Sequence, residues 1–256
     1  MELFDTHAHL LDERFDIDRD ALITSLAEKG IVHVLEACCC AELAQDTIAL
    51  SEKYDIIYAS LGTHPHEVSR MEQAHLTLYK ELLSHKKVVA IGEIGLDYHY
   101  DFSPRDVQKR WFVEQLELAI EHKLPVLLHV REAFKDALDI LKSHKDGLSG
   151  VMHCFSGSYE VAKECLDLGL YIAFGGALTF HNARRPVEII KKLPLERLLI
   201  ETDCPYMTPE PHRGKRNDPS MVRYVCERAA ELLNISADEA ARITLINGRE
   251  LFKIQG

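Results

Sequence analysis

Short segments of apolar and β-branched residues recur eight times along the chain, and stretches of helical periodicity separate them. The segments are Leu3–His7, Val32–Ala37, Ile56–Gly62, Val88–Ile91, Val126–Val130, Gly150–Cys154, Leu170–Phe174 and Leu198–Glu201. Between them, apolar side chains follow helical spacing, as at Val107 and Trp111. This alternation is typical of parallel strands joined by crossover helices, so it predicts an α/β fold.

Two α/β architectures fit such an alternation. A doubly wound open sheet usually has a glycine-rich phosphate loop after its first strand, whereas here the first strand ends in His7-Ala8-His9. The chain has 256 residues, close to the roughly 250 that are typical of an eight-stranded barrel. We therefore expect a single (β/α)8 TIM barrel, with one domain over residues 1–256. The segments after Asp218 and Ser236 are predicted to be closing helices.

Metal-ligand residues recur where the predicted strands end, which is where barrel enzymes place their active sites. His7 and His9 lie two positions apart on a strand, so both imidazoles face the same side. Later strand ends supply Glu93, His129, His153 and Asp203. Each of these alone can be an ordinary polar residue, but the set in this order indicates a metal centre. Two divalent ions sharing it can activate water and hold both oxygens of a displacement.

The motifs that contain these residues span nearly the whole chain. They are Phe4-Asp5-Thr6-His7-Ala8-His9, Gly62-Thr63-His64-Pro65, Ala90-Ile91-Gly92-Glu93-Ile94-Gly95-Leu96-Asp97, Leu128-His129-Val130-Arg131, His153-Cys154-Phe155-Ser156-Gly157 and Glu201-Thr202-Asp203-Cys204-Pro205. Taken together, they resemble the successive motifs of the TatD family of metal-dependent deoxyribonucleases.

The resemblance implies a binuclear metal site. Its ligands would be His7, His9 and Asp203 for one ion, His129 and His153 for the other, and Glu93 bridging both. Related barrel hydrolases that bridge their metals with a carboxylated lysine would have Lys at a strand end, where this chain has Glu93. The sequence leaves zinc, manganese, magnesium and iron open as the metals.

Three further residues near the strand ends have both a functional and a structural interpretation. Glu201 can orient a ligand imidazole or be a polar residue of a barrel layer. His64, in the Gly-x-His-Pro motif, can contact a phosphate or leaving oxygen, or it can cap a turn. Arg131 can contact a phosphoryl oxygen or pair with an acidic residue on the rim.

The densest basic stretch follows the eighth predicted strand and contains Arg213, Lys215 and Arg216. The formal net charge is −11, which argues against a generally basic nucleic-acid surface but permits a local one. This loop is predicted either to bind a nucleic-acid backbone or to be an ordinary solvated segment. Trp111 lies in a helical pattern, so we expect it to pack in the core instead of stacking on bases.

Composition and the N-terminal sequence favour a cytoplasmic protein that crosses no membrane. The start, Met1–Asp5, lacks the basic and apolar regions of a signal peptide, and no apolar run approaches the ~20 residues of a membrane span. Seven cysteines show no paired framework, which is typical of a reducing compartment. No obligate protein partner is indicated.

The resemblance implies a deoxyribonuclease, specifically a 3′–5′ exonuclease on single-stranded DNA. Asp203 is the candidate to take the proton of the attacking water, because it is a carboxylate as well as a ligand. A second hypothesis is hydrolysis of another ester or amide, such as an aminoacyl ester on tRNA, because a fold does not determine the electrophile. A non-enzymatic scaffold is disfavoured, since structural zinc prefers closed sites of four ligands.

Overall fold

Eight parallel strands pair in chain order in the computed structural model, which describes residues 1–255. The strands are β1 Leu3–Ala8, β2 Ile31–Ala37, β3 Ile57–Leu61, β4 Val88–Asp97, β5 Val126–Arg131, β6 Gly150–Met152, β7 Tyr171–Phe174 and β8 Leu198–Ile200. Apolar side chains on both faces of these strands are buried, as the sequence pattern predicted.

The sheet closes where the segment after β8 meets β1. The Asp203 backbone N–H donates to the His7 carbonyl at 3.0 Å. Beside it, the buried Asp5 carboxylate accepts from the Thr202 N–H at 2.8 Å and from its hydroxyl at 2.6 Å. These bonds complete a (β/α)8 barrel, so the predicted fold class is confirmed.

Helices cover the outside of the barrel. They are α1 Arg19–Ser25, α2 Ala44–Lys53, α3 Gln73–Leu82, α4 Arg105–His122, α5 Phe134–Ser143, α6 Tyr159–Asp167, α7 Arg184–Ile190, α8 Val222–Leu233 and α9 Ala237–Phe252. In α4, Trp111, Phe112 and Leu116 lie on one face and are buried, which confirms the packing role predicted for Trp111. No helix within residues 1–255 is both long and apolar enough to cross a membrane.

The barrel interior is a separate apolar cluster that α9 covers at one end. Its strand residues include Phe4, Leu35, Val89, Leu127, Val151 and Leu199, and α9 adds Leu245, Leu251 and Phe252. The Asn247 amide donates to the Leu195 carbonyl at 2.7 Å and to the carbonyl of Leu198, the first residue of β8, at 2.8 Å. The last helix therefore closes the N-terminal end of the barrel, and the opposite end stays open.

Strand β4 is longer than its apolar run predicts. The prediction ended at Ile91, but the strand continues through Glu93 to Asp97. Gly95 makes this possible, because a Cβ there would lie 1.9 Å from the His129 carbonyl oxygen and its φ is +145°. The close approach of β4 to β5 brings Glu93 and Asp97 to the open end of the barrel.

Candidate metal centre

The six predicted ligands converge at the open, C-terminal end of the barrel. His7, Glu93 and His129 belong to strands β1, β4 and β5. The remaining three, His9, His153 and Asp203, follow strands β1, β6 and β8. Five of the six line a cavity of about 530 Å³, and His7 lies fully buried behind it.

One group of ligand atoms surrounds the Oε2 atom of Glu93. His7 Nε2 lies 3.3 Å from this oxygen and His9 Nε2 lies 3.6 Å from it. The two ring nitrogens are 3.2 Å apart. Asp203 Oδ1 lies 3.4 Å from His9 Nε2 and 4.0 Å from His7 Nε2.

A second group surrounds the other oxygen of the same carboxylate. His129 Nδ1 and His153 Nε2 each lie 2.9 Å from Glu93 Oε1, and they are 3.3 Å from one another. Glu93 thus turns one carboxylate oxygen to each group.

The donor atoms fit divalent cations. Ligands at ~2.0–2.2 Å from a tetrahedral ion are separated by roughly 3.3–3.6 Å, and the separations within the two groups, from 2.9 to 4.0 Å, lie on either side of that range. A carbonyl oxygen only accepts, so His9 Nδ1 donates to the Ala37 oxygen at 3.0 Å, which leaves His9 Nε2 as the nitrogen that can bind a cation. The site can therefore hold metal ions through imidazole and carboxylate ligands.

Charge within the site favours ionised carboxylates. Burial opposes the ionisation of Glu93, but neighbouring histidines, His153 foremost, outweigh it and hold the Glu93 pKa well below its usual range. Burial likewise opposes ionisation of Asp203, but neighbouring histidines, His9 foremost, lower its pKa. Both carboxylates are thus negative at neutral pH, as cation binding requires.

Asp97, which the sequence analysis did not single out, orients one of the ligands. This fully buried carboxylate lies 3.0 Å from His129 Nε2 and 2.9 Å from His66 Nε2. Burial opposes its ionisation, but these contacts and backbone N–H groups lower the Asp97 pKa. Because an ionised carboxylate only accepts, His129 Nε2 carries a proton toward Asp97, which leaves Nδ1, on the side of Glu93 and His153, as the nitrogen that can bind a cation. Alternate residues of a strand point to the same side, so positions 93, 95 and 97 share one face of β4. This spacing from Glu93 is the feature of the sequence that could have identified Asp97 as a site residue.

The variant Asp97→Asn is expected to weaken metal binding about 10- to 100-fold, the usual effect of removing a hydrogen-bond partner of a ligand. Asn keeps the volume but loses the charge that fixes the His129 tautomer. Competition with a chromophoric chelator measures the affinity. Asp101→Asn is the matched control, since Asp101 lies on the same loop but pairs with Arg105 at 2.6 Å. Equal affinities for the two variants would remove Asp97 from this role.

Glu201 lies beside His153 in a similar position. Its Oε1 atom accepts from the Cys154 N–H at 2.6 Å and is 3.4 Å from His153 Nδ1. The structure thus places Glu201 beside one of the candidate ligand imidazoles, but His153 Nδ1 makes no hydrogen bond to it.

His64 faces the site as a neutral hydrogen-bond donor. Its Nδ1 accepts from the His66 N–H at 3.1 Å, so its proton lies on Nε2, which is 3.5 Å from Glu93 Oε1. Burial lowers the His64 pKa well below its usual value, which keeps the ring uncharged. His64 therefore directs an N–H toward the ligand cluster.

The buried carboxylate of Glu36 supports the segment after β1, a role that was also missed. It accepts from the N–H groups of Leu10 and Leu11 at 2.7 and 3.1 Å. Burial raises the Glu36 pKa to about 7. These bonds fix the chain just beyond His9.

The basic side chains fall into two sets. Arg131 lines the cavity, and its guanidinium forms no ion pair with any residue of the described chain, residues 1–255. Arg216 lies in the loop after β8 and binds the Asp18 carboxylate through two nitrogens at 2.8 and 2.6 Å. Arg213 lies over the Phe180 ring at 3.7 Å, and none of the three basic loop residues lines the cavity.

The chain is similar to known proteins over nearly its whole length. A family model described as TatD related DNase matches residues 4–253. The uncharacterized metal-dependent hydrolase YabD of Bacillus subtilis is 46% identical over 253 residues, which cover 98% of this chain and 99% of YabD. The 3′-5′ ssDNA/RNA exonuclease TatD of Salmonella typhimurium is 33% identical over 261 residues, which cover 98% of this chain and 99% of that protein.

A solved structure shares both the fold and the sequence. YJJV, a TatD homologue from Escherichia coli K12, superposes with a TM-score of 0.93 at 35% identity, over 99% of this chain and 98% of YJJV. The match of the family model, the relatives and the fold extends over essentially the whole chain, and groups of His, Asp and Glu side chains at the open end of the barrel are able to hold metal ions. The chain therefore belongs to the TatD family and is a metal-dependent hydrolase.

Proposed function

We propose that this protein hydrolyses phosphodiester bonds from the 3′ end of single-stranded DNA with two divalent cations. One observation carries the proposal: Glu93 turns one oxygen to each of two ligand groups beside an open cavity. A pair of adjacent cations suits the hydrolysis of a phosphodiester, because two cations can stabilise the attacking and the leaving oxygen on opposite sides of phosphorus.

In this proposal His7, His9 and Asp203 would hold one cation, His129 and His153 would hold the other, and Glu93 would be shared; the groups His7, His9, Glu93 and Glu93, His129, His153 support it. When bound, the cations supply Lewis acidity that makes water a better nucleophile and neutralises charge developing on the phosphoryl oxygens. Asp97 and Glu201 keep the imidazoles of the second group in position.

Protein side chains supply the remaining steps. Asp203 is ionised and is 16% exposed to the cavity, so it can take the proton of the attacking water. Arg131, with no acidic partner in the described chain, contacts a nonbridging phosphoryl oxygen. His64 donates its Nε2 proton in a hydrogen bond to the phosphate or the leaving oxygen.

Support for the nucleic-acid substrate comes from the Salmonella relative, named as an exonuclease on single-stranded DNA and RNA. The test uses 5′-labelled single-stranded DNA with protein that has been stripped by a chelator and reloaded separately with zinc, manganese, magnesium or iron. We expect a ladder of products shortened from the 3′ end, appearing only with metal. Cleavage of an aminoacyl ester without cleavage of DNA or RNA would overturn the proposal.

The loop after β8 is proposed to bind the DNA backbone through Arg213 and Lys215. Replacing both by Ala should raise KM for DNA and reduce the log–log salt slope by about 0.7 for each lost phosphate contact. The value of kcat should change little, because such contacts act equally in the ground and transition states. Arg216 is left in place because it binds Asp18.

Steady-state kinetics at several salt concentrations measure both effects. A phosphodiester too small to reach the loop is the control substrate, and the variant should hydrolyse it normally. An unchanged KM and salt slope for DNA would make the loop an ordinary solvated segment.

A further inference from the structure

Two stacked aromatic rings are exposed beside the candidate metal centre. Tyr100 and Phe102, in the loop between β4 and α4, are 48% and 66% exposed. Their ring centroids are 5.2 Å apart and their planes differ by 20°. We call this pair the aromatic platform. A large apolar surface left open next to a binding cavity indicates a ligand.

The platform adjoins the ligand cluster through His66. The His66 ring lies 4.8 Å from Phe102 and 5.4 Å from Tyr100, and its Nε2 shares the Asp97 carboxylate with His129. Tyr100 itself lines the cavity. A group stacked on the platform would thus be separated from His129 only by His66 and the Asp97 carboxylate.

The loop that carries the platform is held in place by buried polar contacts. Asp97 Oδ1 accepts from the Tyr100 N–H at 2.9 Å. The Ser103 hydroxyl donates to the His66 carbonyl at 2.9 Å, and the Gln108 amide donates to the Ser103 carbonyl at 2.8 Å. The stacked rings are therefore preformed, which lowers the entropy lost when a ligand binds.

Charge next to the platform identifies the class of ligand. The Arg131 guanidinium lies 4.8 Å from the centre of the Tyr100 ring and has no ion-pair partner within the described chain. Aromatic faces beside an available arginine are how proteins bind single-stranded nucleic acid, with a base on the ring and a phosphate on the cation.

We propose that the aromatic platform stacks an unpaired nucleobase next to the scissile phosphate, which Arg131 contacts. This inference rests on the proposed function and specifies how its substrate is recognised. A base in a duplex is stacked between its neighbours, so the platform selects single strands. It accepts any of the bases, because each has an aromatic face.

The test pairs a platform variant with substrates that lack one base. Wild type and Phe102→Ala, both loaded with metal, hydrolyse single-stranded DNA that is either intact or abasic at one of the three 3′-terminal positions. Ile246→Ala is the control, since Ile246 is 47% exposed on α9, at the closed end of the barrel. Metal content and far-UV circular dichroism check that each variant is folded and loaded.

For wild type, one abasic position should lower kcat/KM roughly tenfold, within the range measured for base stacking on an aromatic side chain. Phe102→Ala should show a similar decrease of kcat/KM on intact DNA, mainly through a higher KM. On the substrate whose abasic position affects the wild type, kcat/KM of Phe102→Ala should decrease little further. Phe102→Trp should restore the discrimination, and Ile246→Ala should behave as wild type.

Equal losses on intact and abasic DNA in Phe102→Ala, or no abasic effect in wild type, would overturn the platform. If the metal-loaded wild type hydrolyses no nucleic acid, the proposed function fails. The aromatic platform is then tested separately, by measuring the binding of the same oligonucleotides with fluorescence anisotropy. Tighter binding of intact than of abasic DNA, lost in Phe102→Ala, would then support the platform. Equal binding would reject it.

Discussion

Glu93→Gln is expected to lose hydrolytic activity and at least one bound ion, while the barrel remains folded. The two oxygens of Glu93 face different ligand groups, and an amide leaves only one of its two atoms able to coordinate. The loss of activity should exceed ~10²-fold, the lower end for removing a single electrostatic contact to a transition state. Gln has nearly the same volume, so apolar packing around the site is preserved.

Metal analysis, far-UV circular dichroism and hydrolysis of labelled DNA measure the three parts of this result. Glu67→Gln is the matched control, because Glu67 lines the same cavity but pairs with Arg70 at 3.7 Å. Two fully occupied ions with unchanged turnover in Glu93→Gln would remove this carboxylate from the site.

Asp203→Asn is expected to lower kcat by a factor of ~10²–10⁴, the usual contribution of general acid–base catalysis. The amide retains one coordinating oxygen but is not basic, so metal can stay bound while the proton acceptor is lost. Burial opposes the ionisation of Asp203, but neighbouring histidines, chiefly His9, lower its pKa. The wild-type carboxylate therefore remains ionised, and able to accept a proton, until the pH falls below the usual pKa range of an Asp side chain.

The pH profile of kcat at saturating metal distinguishes this role from simple ligation. The acidic limb that Asp203 causes in the wild type should be absent from the residual activity of Asp203→Asn. Asp12→Asn is the control, since Asp12 lines the cavity but pairs with Arg14 at 2.8 Å. Near-normal turnover of Asp203→Asn would show that another group accepts the proton.

The strands and the residues at their ends could be predicted because both depend on local patterns. Buried parallel strands are continuous apolar runs, and a barrel brings the carboxyl ends of all of them to one rim. His129 and His153 could therefore be placed together from the sequence. The predicted end of β4 was too early, because the strand continues through Glu93 and Gly95, which interrupt the apolar run.

Contacts between distant segments could not be predicted in this way. Arg216 pairs with Asp18, which is 198 positions away, and nothing near either residue in the sequence indicates the other. The aromatic platform depends on the conformation of an irregular loop, for which periodicity carries no information. Asp97 was visible as a member of a motif, but its partner His66 comes from a different strand end.

The helix that closes the N-terminal end of the barrel leaves the ribosome after all eight strands. Synthesis delivers all eight strands before α9, so the nascent barrel has its interior apolar residues open to water at one end. Only when Leu245–Phe252 emerge can that surface be covered and the Asn247 bonds to the start of β8 form. The order of elements along the chain thus delays completion of the core until translation of the barrel is over, and a nascent chain stalled before α9 exposes a surface for chaperones to bind.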